Sequence, residues 1–249
     1  MAVAEKHPCK TALTPSGIPG ADWAANPYYG CTHACAYCYV PKVIHYDDPA
    51  RPWGRFVMEK ENYLELLARQ APAKRQRGCA YLSTSCDPYQ PLEQKTLLTR
   101  RCIEVLLRAD FDVSILTKSP LVTRDADLLR GDRAHVGVTV TTDDEATRRL
   151  FEPGAPPIGQ RIAALAALRR RGVSTHVFVG PILPIKNPRA FAERLARVTD
   201  HAILCAMNHR ERTAELYARH GLRRFLSRDY RDEVREVFGR CFKVDAECT

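Results

Sequence analysis

Three cysteines lie close together in the segment NPYYGCTHACAYCYVPK, which spans residues 26–42. Cys31, Cys35 and Cys38 follow the spacing Cys-x3-Cys-x2-Cys. Thiolates are typical ligands of zinc, copper(I) and iron–sulfur clusters, and three protein ligands leave one position of a metal centre open. The spacing therefore predicts a metal site that still accepts a further ligand.

A zinc ion that takes His33 or His45 as its fourth ligand is the main alternative for these cysteines. Structural zinc sites usually combine two separated ligand pairs, and the sequence has no second Cys-x2-Cys pair. Gly30, Thr32 and Ala34 are typical of a loop, so a packing role for all three cysteines in a core strand is not favoured. The spacing alone leaves both kinds of metal site open.

The rest of the sequence must position this loop, and it alternates apolar runs of strand length with helical patterns. Such alternation is typical of repeated βα units, whose functional groups gather on the loops after the carboxyl ends of parallel strands. After a weak strand at residues 23–26, we predict strands at 79–83, 113–117, 135–141, 175–179 and 202–205 and helices at 94–109, 161–171 and 234–242.

These elements predict an α/β fold of six βα units in a single domain over residues 1–249. Residues 1–22 would form an N-terminal extension, and residues from about 206 to 249 would form C-terminal helices. The sequence indicates no internal repeat and no linker between separate domains.

Composition excludes several classes of protein. The 249 residues carry a formal net charge of +9, with 45% hydrophobic content and ten cysteines. No apolar run reaches the roughly 18 residues that a membrane helix needs, and no signal-peptide pattern is present. Cysteines in this context favour metal binding or catalysis over a disulfide framework. We therefore expect a cytoplasmic protein without membrane contact, and the sequence indicates no particular oligomeric state.

The cysteine pattern, with an aromatic residue before the last ligand, resembles the radical S-adenosylmethionine (SAM) superfamily. Four segments are similar to the branch related to spore photoproduct lyase, namely NPYYGCTHACAYCYVP, STSCDPYQPLEQKTLLTR, ILTKSPLVTRDADLL and LFEPGAPPIGQRIAAL. The resemblance extends over residues 26–187, and it implies a partial (β/α)6 TIM-like barrel of the radical SAM type.

The same resemblance implies two cofactors. A 4Fe-4S cluster would be bound by Cys31, Cys35 and Cys38, and its fourth iron would chelate the amine and carboxylate of SAM. The open ligand position would thus belong to the cofactor. Reductive cleavage of SAM would give a 5′-deoxyadenosyl radical, and the electron would come from a partner such as flavodoxin or ferredoxin.

Further residues are implied to contact SAM because they match family positions at strand ends. Tyr37 and Tyr39 would lie against the nucleoside, and Lys118 would meet the carboxylate. Thr139, which shares a strand face with Thr141, would contact the ribose or the carboxylate. The backbone of Val179 and Gly180 would approach the adenine.

The loop after the second strand departs from the family pattern. Many radical SAM enzymes bind the SAM amine with Gly-Gly-Glu there, whereas this chain has Ser-Thr-Ser-Cys-Asp-Pro, so Ser85 and Asp87 are the candidates. Spore photoproduct lyases also carry a hydrogen-donating cysteine in this loop, and Cys86 stands at a slightly different place. Cys86 and Asp87 are therefore the candidate catalytic residues, with a small packed thiol as the alternative for Cys86.

The substrate is the least defined part of the prediction. Basic runs at residues 74–77, 169–171 and 223–224 could attract the phosphates of DNA, on which the best-known relative acts. Solvated basic faces are the alternative, because 169–171 end a predicted helix. DNA, a peptide, RNA and a small molecule all remain candidate substrates. A non-catalytic, zinc-stabilised module that binds nucleic acid is the hypothesis of a different class.

Overall fold

The computed structural model describes residues 4–6, 8–75, 77–207 and 210–244. In chain order the strands are β1 (Ala4–Lys6), β2 (Leu13–Pro15), β3 (Trp23–Ala25), β4 (Tyr28–Gly30), β5 (Val57–Glu59), β6 (Cys79–Leu82), β7 (Asp112–Thr117), β8 (Ala134–Thr139), β9 (Ser174–Val179), β10 (His201–Leu204) and β11 (Lys243–Val244).

The helices alternate with the later strands, as the βα pattern predicts. They are α1 (Val40–Val43), α2 (Tyr63–Ala73), α3 (Glu93–Thr96), α4 (Leu98–Arg108), α5 (Glu145–Phe151), α6 (Ile158–Arg170), α7 (Pro188–Ala196), α8 (Ala214–Arg219) and α9 (Arg228–Gly239). Short 3-10 helices lie at Pro120–Asp125, Arg210–Arg212 and Arg223–Leu226.

The central sheet has the order β11-β10-β9-β8-β7-β6-β3-β2. Its six middle strands, from β10 to β3, are parallel to one another, and β2 is antiparallel to β3. Among the described residues the outer strands β2 and β11 do not pair, so the sheet does not close. The predicted α/β fold and partial barrel are thereby confirmed, and the six predicted strands are its six middle strands.

The core lies between this sheet and its covering helices. Val113, Ile115, Val136, Val138 and Val177 are fully buried strand residues, as expected for a parallel sheet covered on both faces. A smaller sheet, in the order β1-β5-β4, leads into the cysteine segment through β4. No helix among the described residues is long and apolar enough to cross a membrane.

The helix predicted at 94–109 is in fact two helices. Leu97 adopts a left-handed conformation (φ 54°, ψ 23°) and separates α3 from α4. The buried carboxylate of Glu93 accepts the amides of Thr99 (2.8 Å) and Arg100 (3.4 Å), and so caps the start of α4. Periodicity could not predict this break, because the capping group comes from the preceding helix.

The predicted C-terminal helix is also shifted. Ser227 caps α9 by accepting the amide of Tyr230 (3.2 Å), and the helix ends at Gly239, so Cys241 and Phe242 lie beyond it. The predicted C-terminal helices are therefore α8 and α9, and residues 245–249 of that segment lie outside the described residues.

The C-terminal segment packs next to the cysteine segment. The ring centroid of Tyr217 on α8 lies 4.8 Å from that of Phe151 on α5. These two residues form a second small core with Leu183 and Met207, and Tyr37 packs against it. The polypeptide after β10 thus packs against the end of α5 and, through Tyr37, next to the cysteine loop.

Candidate functional site

A cavity at the carboxyl ends of the parallel strands brings together ten of the twelve predicted site residues. They are Cys31, Cys35, Tyr37, Cys38, Tyr39, Ser85, Cys86, Asp87, Lys118 and Thr139. Val179 and Gly180 are not among the lining residues.

The cysteine loop, residues 31–38, forms one wall of the cavity with three half-buried thiols. Burial raises the pKa of Cys31 and raises that of Cys35 to about 12, although the positive charge of Lys118 opposes the rise at Cys35. Without a metal the thiols of Cys31 and Cys35 are therefore protonated at neutral pH, and a metal that binds them must displace the protons.

The donor set fits an iron–sulfur cluster with one open position. Three thiols share one cavity, and soft sulfur ligands are those that clusters use. Within the part of the chain that the structure describes, no three His, Cys, Asp or Glu side chains converge as ligands of a single metal ion. His33 lies against Asp87, and His45 is exposed outside the cavity. The arrangement therefore suits a cluster better than a tetrahedral zinc ion.

Gln90 fixes the start of the cysteine loop. Its fully buried side chain accepts the amide of Thr32 (3.3 Å) and donates to the carbonyl of Gly30 (3.5 Å), so it binds the backbone on both sides of Cys31. Gly30 has φ +86°, and a Cβ there would lie 2.6 Å from the carbonyl oxygen of Phe56, so only glycine fits this position.

The end of α5 fixes the rest of the loop. The amide of Ala36 donates to the carbonyl of Phe151 (2.8 Å), and the amide of Gly154 donates to the carbonyl of His33 (3.0 Å). The hydroxyl of Tyr37, which stands between two of the cysteines, donates to the carboxylate of Glu152. The segment 151–154 therefore contacts the cysteine loop at three successive points.

Glu152 belongs to a fully buried polar group. Its carboxylate pairs with the guanidinium of Arg161 (2.6 Å) and accepts the hydroxyl of Thr141 (3.0 Å) as well as that of Tyr37. Burial by itself raises the pKa of Glu152, but the charges of Arg161 and Lys118 outweigh it and lower the pKa overall. The carboxylate is therefore ionised inside the protein, directly behind the cysteine loop.

Lys118, at the end of β7, directs a cation into the cavity. Its ammonium lies 5.7 Å from the ring centroid of Tyr37, and no carboxylate of the described residues pairs with it. Burial lowers the pKa of this lysine, but the neighbouring Cys35, Glu152 and Asp87 outweigh the effect and raise it overall. A lysine that stays charged beside a cavity can bind an anionic ligand group.

Asp87 is buried, and its hydrogen bonds are made within the protein. One carboxylate oxygen accepts the hydroxyl of Thr117 (2.6 Å) and the amide of Tyr89 (2.9 Å). The other accepts the amide of Lys118 (2.7 Å) and lies 3.4 Å from Nδ1 of His33. These contacts join the loop after β6 to the end of β7 and to the cysteine loop, which is a positioning role.

Ser85 and Tyr39 lie on the outer side of the cavity. The amide and hydroxyl of Ser85 both donate to the side-chain oxygen of Asn26, each over 3.0 Å. The hydroxyl of Tyr39 donates to the carbonyl of Thr84 (3.0 Å). The serine hydroxyl still has lone pairs to offer to a bound amine.

Cys86 is half-buried rather than exposed on its loop. Its Sγ lies 3.9 Å from the carbonyl oxygen of Tyr28 and shares the cavity with Cys31. Burial raises the pKa of Cys86 to about 12, so the thiol keeps its proton at neutral pH. A protonated thiol inside a cavity can donate a hydrogen atom, whereas a thiolate cannot.

The fourth and fifth predicted strand ends differ in their roles. Thr139 is buried and lines the cavity, and Thr141 points the same way but binds Glu152. Val179 is fully buried in the core, and a Cβ at Gly180 would stand 2.3 Å from the Phe178 ring. The structure thus explains Gly180 by internal packing.

Sequence reasoning missed four residues that support the site: Asn26, Gln90, Glu152 and Arg161. Asn26 directly follows a strand end, which was an available signal. Glu152 and Arg161 lie within the quoted segment LFEPGAPPIGQRIAAL, but nothing in one sequence tells a buried ion pair from two surface charges.

Comparisons with known proteins identify the family of this chain. The family model described as "Radical SAM superfamily" matches residues 25–198. An uncharacterized protein of Methanocaldococcus jannaschii is 34% identical over 180 residues, covering 72% of this chain and 67% of that protein. The radical SAM Nα-GlyT isomerase of Pseudomonas phage M6 is 27% identical over 185 residues, covering 72% of this chain. The match spans 38% of the phage protein, so this chain corresponds to only part of its length.

The fold is similar to that of a solved enzyme. Spore photoproduct lyase complexed with dinucleoside spore photoproduct superposes with a TM-score of 0.71. The alignment covers 97% of this chain and 81% of the lyase, at 16% sequence identity. At this identity the likeness concerns the fold.

Proposed function

Because this chain belongs to the radical SAM superfamily, we propose that it binds a 4Fe-4S cluster and SAM at the cysteine-lined cavity and abstracts a hydrogen atom from a substrate. Membership makes the chain a radical SAM enzyme, which argues against a non-catalytic zinc-stabilised module. When bound, the cluster and SAM supply a 5′-deoxyadenosyl radical, and a flavodoxin or ferredoxin in the cytoplasm is the proposed electron donor.

One observation carries this proposal. Three thiols and the ammonium of Lys118 face a single cavity at the carboxyl ends of the strands. Cys31, Cys35 and Cys38 would hold the cluster, and Lys118 would bind the SAM carboxylate through a charge-assisted hydrogen bond.

The remaining lining residues have complementary proposed roles. Tyr39 and Thr139 offer a ring and a hydroxyl to the nucleoside, and the Ser85 hydroxyl is the candidate partner for the SAM amine. Asp87 is left with a positioning role, since both of its oxygens are occupied. Cys86 is the proposed hydrogen donor to the substrate radical.

We further propose that the substrate is a nucleobase in DNA. The net charge of +9 favours a polyanion, since cations attract phosphates over long range. The fold is similar to that of a lyase solved with a dinucleoside, and a phage relative is named for Nα-GlyT. A base inside a duplex would have to be extruded to reach the cavity.

Anaerobic reconstitution tests the cofactor proposal. About four iron and four sulfide per chain, with release of 5′-deoxyadenosine from SAM after reduction, would support it. Tightly bound zinc, near one per chain and without iron, would overturn it.

Isotope transfer tests the substrate proposal. Deuterium should pass from labelled DNA into 5′-deoxyadenosine. Transfer from a labelled peptide, RNA or metabolite fraction, with none from DNA, would replace DNA by that substrate class.

A further inference from the structure

Two buried carboxylates in this protein have the same kind of partners. Glu152 binds Tyr37, Arg161 and Thr141, and it stands directly behind the cysteine loop. Its Oε1 accepts both hydroxyls, whereas its Oε2 has the ion-pair contact with Arg161 but no hydrogen-bond partner among the described residues, and both Glu152 and Arg161 are fully buried. Burying two ions costs free energy that their attraction only partly offsets, so such a pair needs an explanation beyond stability.

The second carboxylate, Glu93, accepts a hydroxyl from Tyr28 and pairs with Arg124 (2.7 Å). It is also fully buried, yet none of these three residues lines the cavity. Glu93 caps α4 and holds the helices together. The two sets differ in that Tyr37 lines the cavity, whereas no member of the second set does, and in that Arg124 is partly exposed.

The position of Glu152 suggests a role toward the proposed cluster. The carbonyl of Phe151, the residue before Glu152, accepts the amide of Ala36, and the carboxylate of Glu152 accepts the hydroxyl of Tyr37. Two consecutive residues at the end of α5 therefore hold two consecutive residues of the cysteine loop. Ala36 and Tyr37 are the two residues between Cys35 and Cys38. The distance between those two cysteines is thus controlled from the end of α5.

The charge of Glu152 also reaches this loop. One carboxylate oxygen of Glu152 accepts the hydroxyl of Tyr37, and the other contacts the guanidinium of Arg161. The negative member of the ion pair therefore contacts the segment between Cys35 and Cys38 directly. A negative charge beside a cluster opposes the addition of an electron and lowers the reduction potential.

We propose that Glu152 is a positioning residue that holds Tyr37 between two cluster ligands and that its charge, partly balanced by Arg161, keeps the reduction potential of the cluster low. A low potential is what the reductive cleavage of SAM requires. The inference rests on the proposed function, because it presupposes a cluster on the three cysteines.

The test compares matched variants after anaerobic reconstitution, with iron content and the midpoint potential as readouts. Glu152→Gln removes the charge and should shift the midpoint to more positive values. Glu93→Gln removes the carboxylate charge beside Tyr28 and Arg124 and is the control. It should lower the thermal midpoint of unfolding and leave the reduction potential of the cluster unchanged.

A double variant separates charge from structural damage. Adding Arg161→Met to Glu152→Gln removes both charges, so the midpoint should return toward that of the unaltered protein. If the midpoint potential of the double variant were shifted at least as far as that of Glu152→Gln, the electrostatic part of the proposal would be overturned. Equal midpoints for Glu152→Gln and the unaltered protein, both with iron bound, would overturn it as well.

The positioning part has its own readout, which is the rate of iron release to a chelator. Tyr37→Phe removes only the hydroxyl that contacts Glu152 and should accelerate the release. The double variant with Tyr37→Phe and Glu152→Ala should release iron little faster than either single variant, because both substitutions remove the same contact. Unchanged release from Tyr37→Phe would refute this part. Absence of iron from the unaltered protein would instead refute the proposed function itself.

Discussion

The amide of Gly154 donates a hydrogen bond to the carbonyl of His33 over 3.0 Å, so the turn after α5 lies directly on the cysteine loop. A Cβ atom at Gly154 would stand 2.2 Å from the carbonyl oxygen of Thr32. Because that oxygen belongs to the backbone, it cannot rotate away as a flexible side chain would. The contact between the two segments depends on the absence of a side chain.

We therefore expect Gly154→Ala to lower the free energy of unfolding by about 1–3 kcal/mol, the usual cost of overpacking. It should also reduce the iron retained after reconstitution. Gly159→Ala is the control, because nothing lies within 4 Å of a Cβ there. Replacing this helical glycine should stabilise the protein by roughly 0.5–1 kcal/mol. Denaturant titration gives both values, and equal stability of the two variants would contradict the steric argument.

Replacing Cys31, Cys35 or Cys38 by alanine should abolish both iron binding and SAM cleavage, because each loss leaves an iron atom without its ligand. The fold should persist, since most buried residues lie in β6–β10 and their helices. Cys86→Ala is the matched control in the same cavity, and it should keep its iron. Full SAM cleavage by any of the first three variants would disprove the ligand assignment.

Cys86→Ala should show a different defect when substrate is present. SAM cleavage and hydrogen abstraction should continue, but the substrate radical should end in abnormal products because its hydrogen donor is missing. Product analysis by mass spectrometry measures the change. A normal product spectrum, with a loss of stability of about 1 kcal/mol, would mean that Cys86 only packs.

Lys118→Ala should weaken SAM binding by about 1.5–3 kcal/mol, the usual contribution of a hydrogen bond to a charged group. That loss corresponds to roughly a 10- to 150-fold rise in Kd. Equilibrium binding to the reconstituted protein measures it, with iron content expected to stay constant. Lys95→Ala removes an exposed lysine on α3 and should change nothing. An unaltered affinity in Lys118→Ala would remove this residue from the SAM site.

Asp144, which caps α5, should make the free energy of unfolding depend on pH. Burial tends to raise the pKa of its carboxyl, but hydrogen bonds from Lys186 and from the amide and hydroxyl of Thr147 outweigh it and lower the pKa from 3.8 to about 2. The ionised form is favoured in the folded state, so this stabilisation is present above the unfolded pKa and is lost as the pH falls toward 2.

The matched change is Asp144→Asn, which keeps a capping oxygen but removes the charge. Above the unfolded pKa the variant should be less stable by about 1 kcal/mol, because Lys186 is exposed and solvent screens its attraction, and the difference should disappear in acid. Denaturant titrations of both proteins at several pH values measure it. A difference that persists at low pH would show that the charge is not responsible.

The order of strands and the positions of the three cysteines could be predicted from the sequence because both depend on local patterns. Apolar runs such as residues 113–117 show where a covered strand lies, and the parallel arrangement places the following loops at one edge. Lys118 and Thr139 line the cavity for this reason.

The contacts that fix the cysteine loop could not be predicted, because they join residues far apart in the chain. Glu152 is 115 positions from Tyr37, and its burial is created by folding. The break at Leu97 has a similar origin, since a carboxylate outside α4 caps that helix. The sequence predicts a catalytic role for Asp87 because a carboxylate can take part in catalysis, whereas its hydrogen bonds in the structure give it a positioning role.

The contact between Tyr217 and Phe151 shows that the packed structure around the cysteine loop extends beyond the segment that matches the family model. The family model matches residues 25–198, but the ring that packs on Phe151 at the end of α5 is supplied from beyond residue 198. A chain trimmed to residues 25–198 would leave that aromatic surface bare, beside the loop that carries the ligands. The part of the chain that matches the family model is therefore shorter than the part that packs around the cysteine loop.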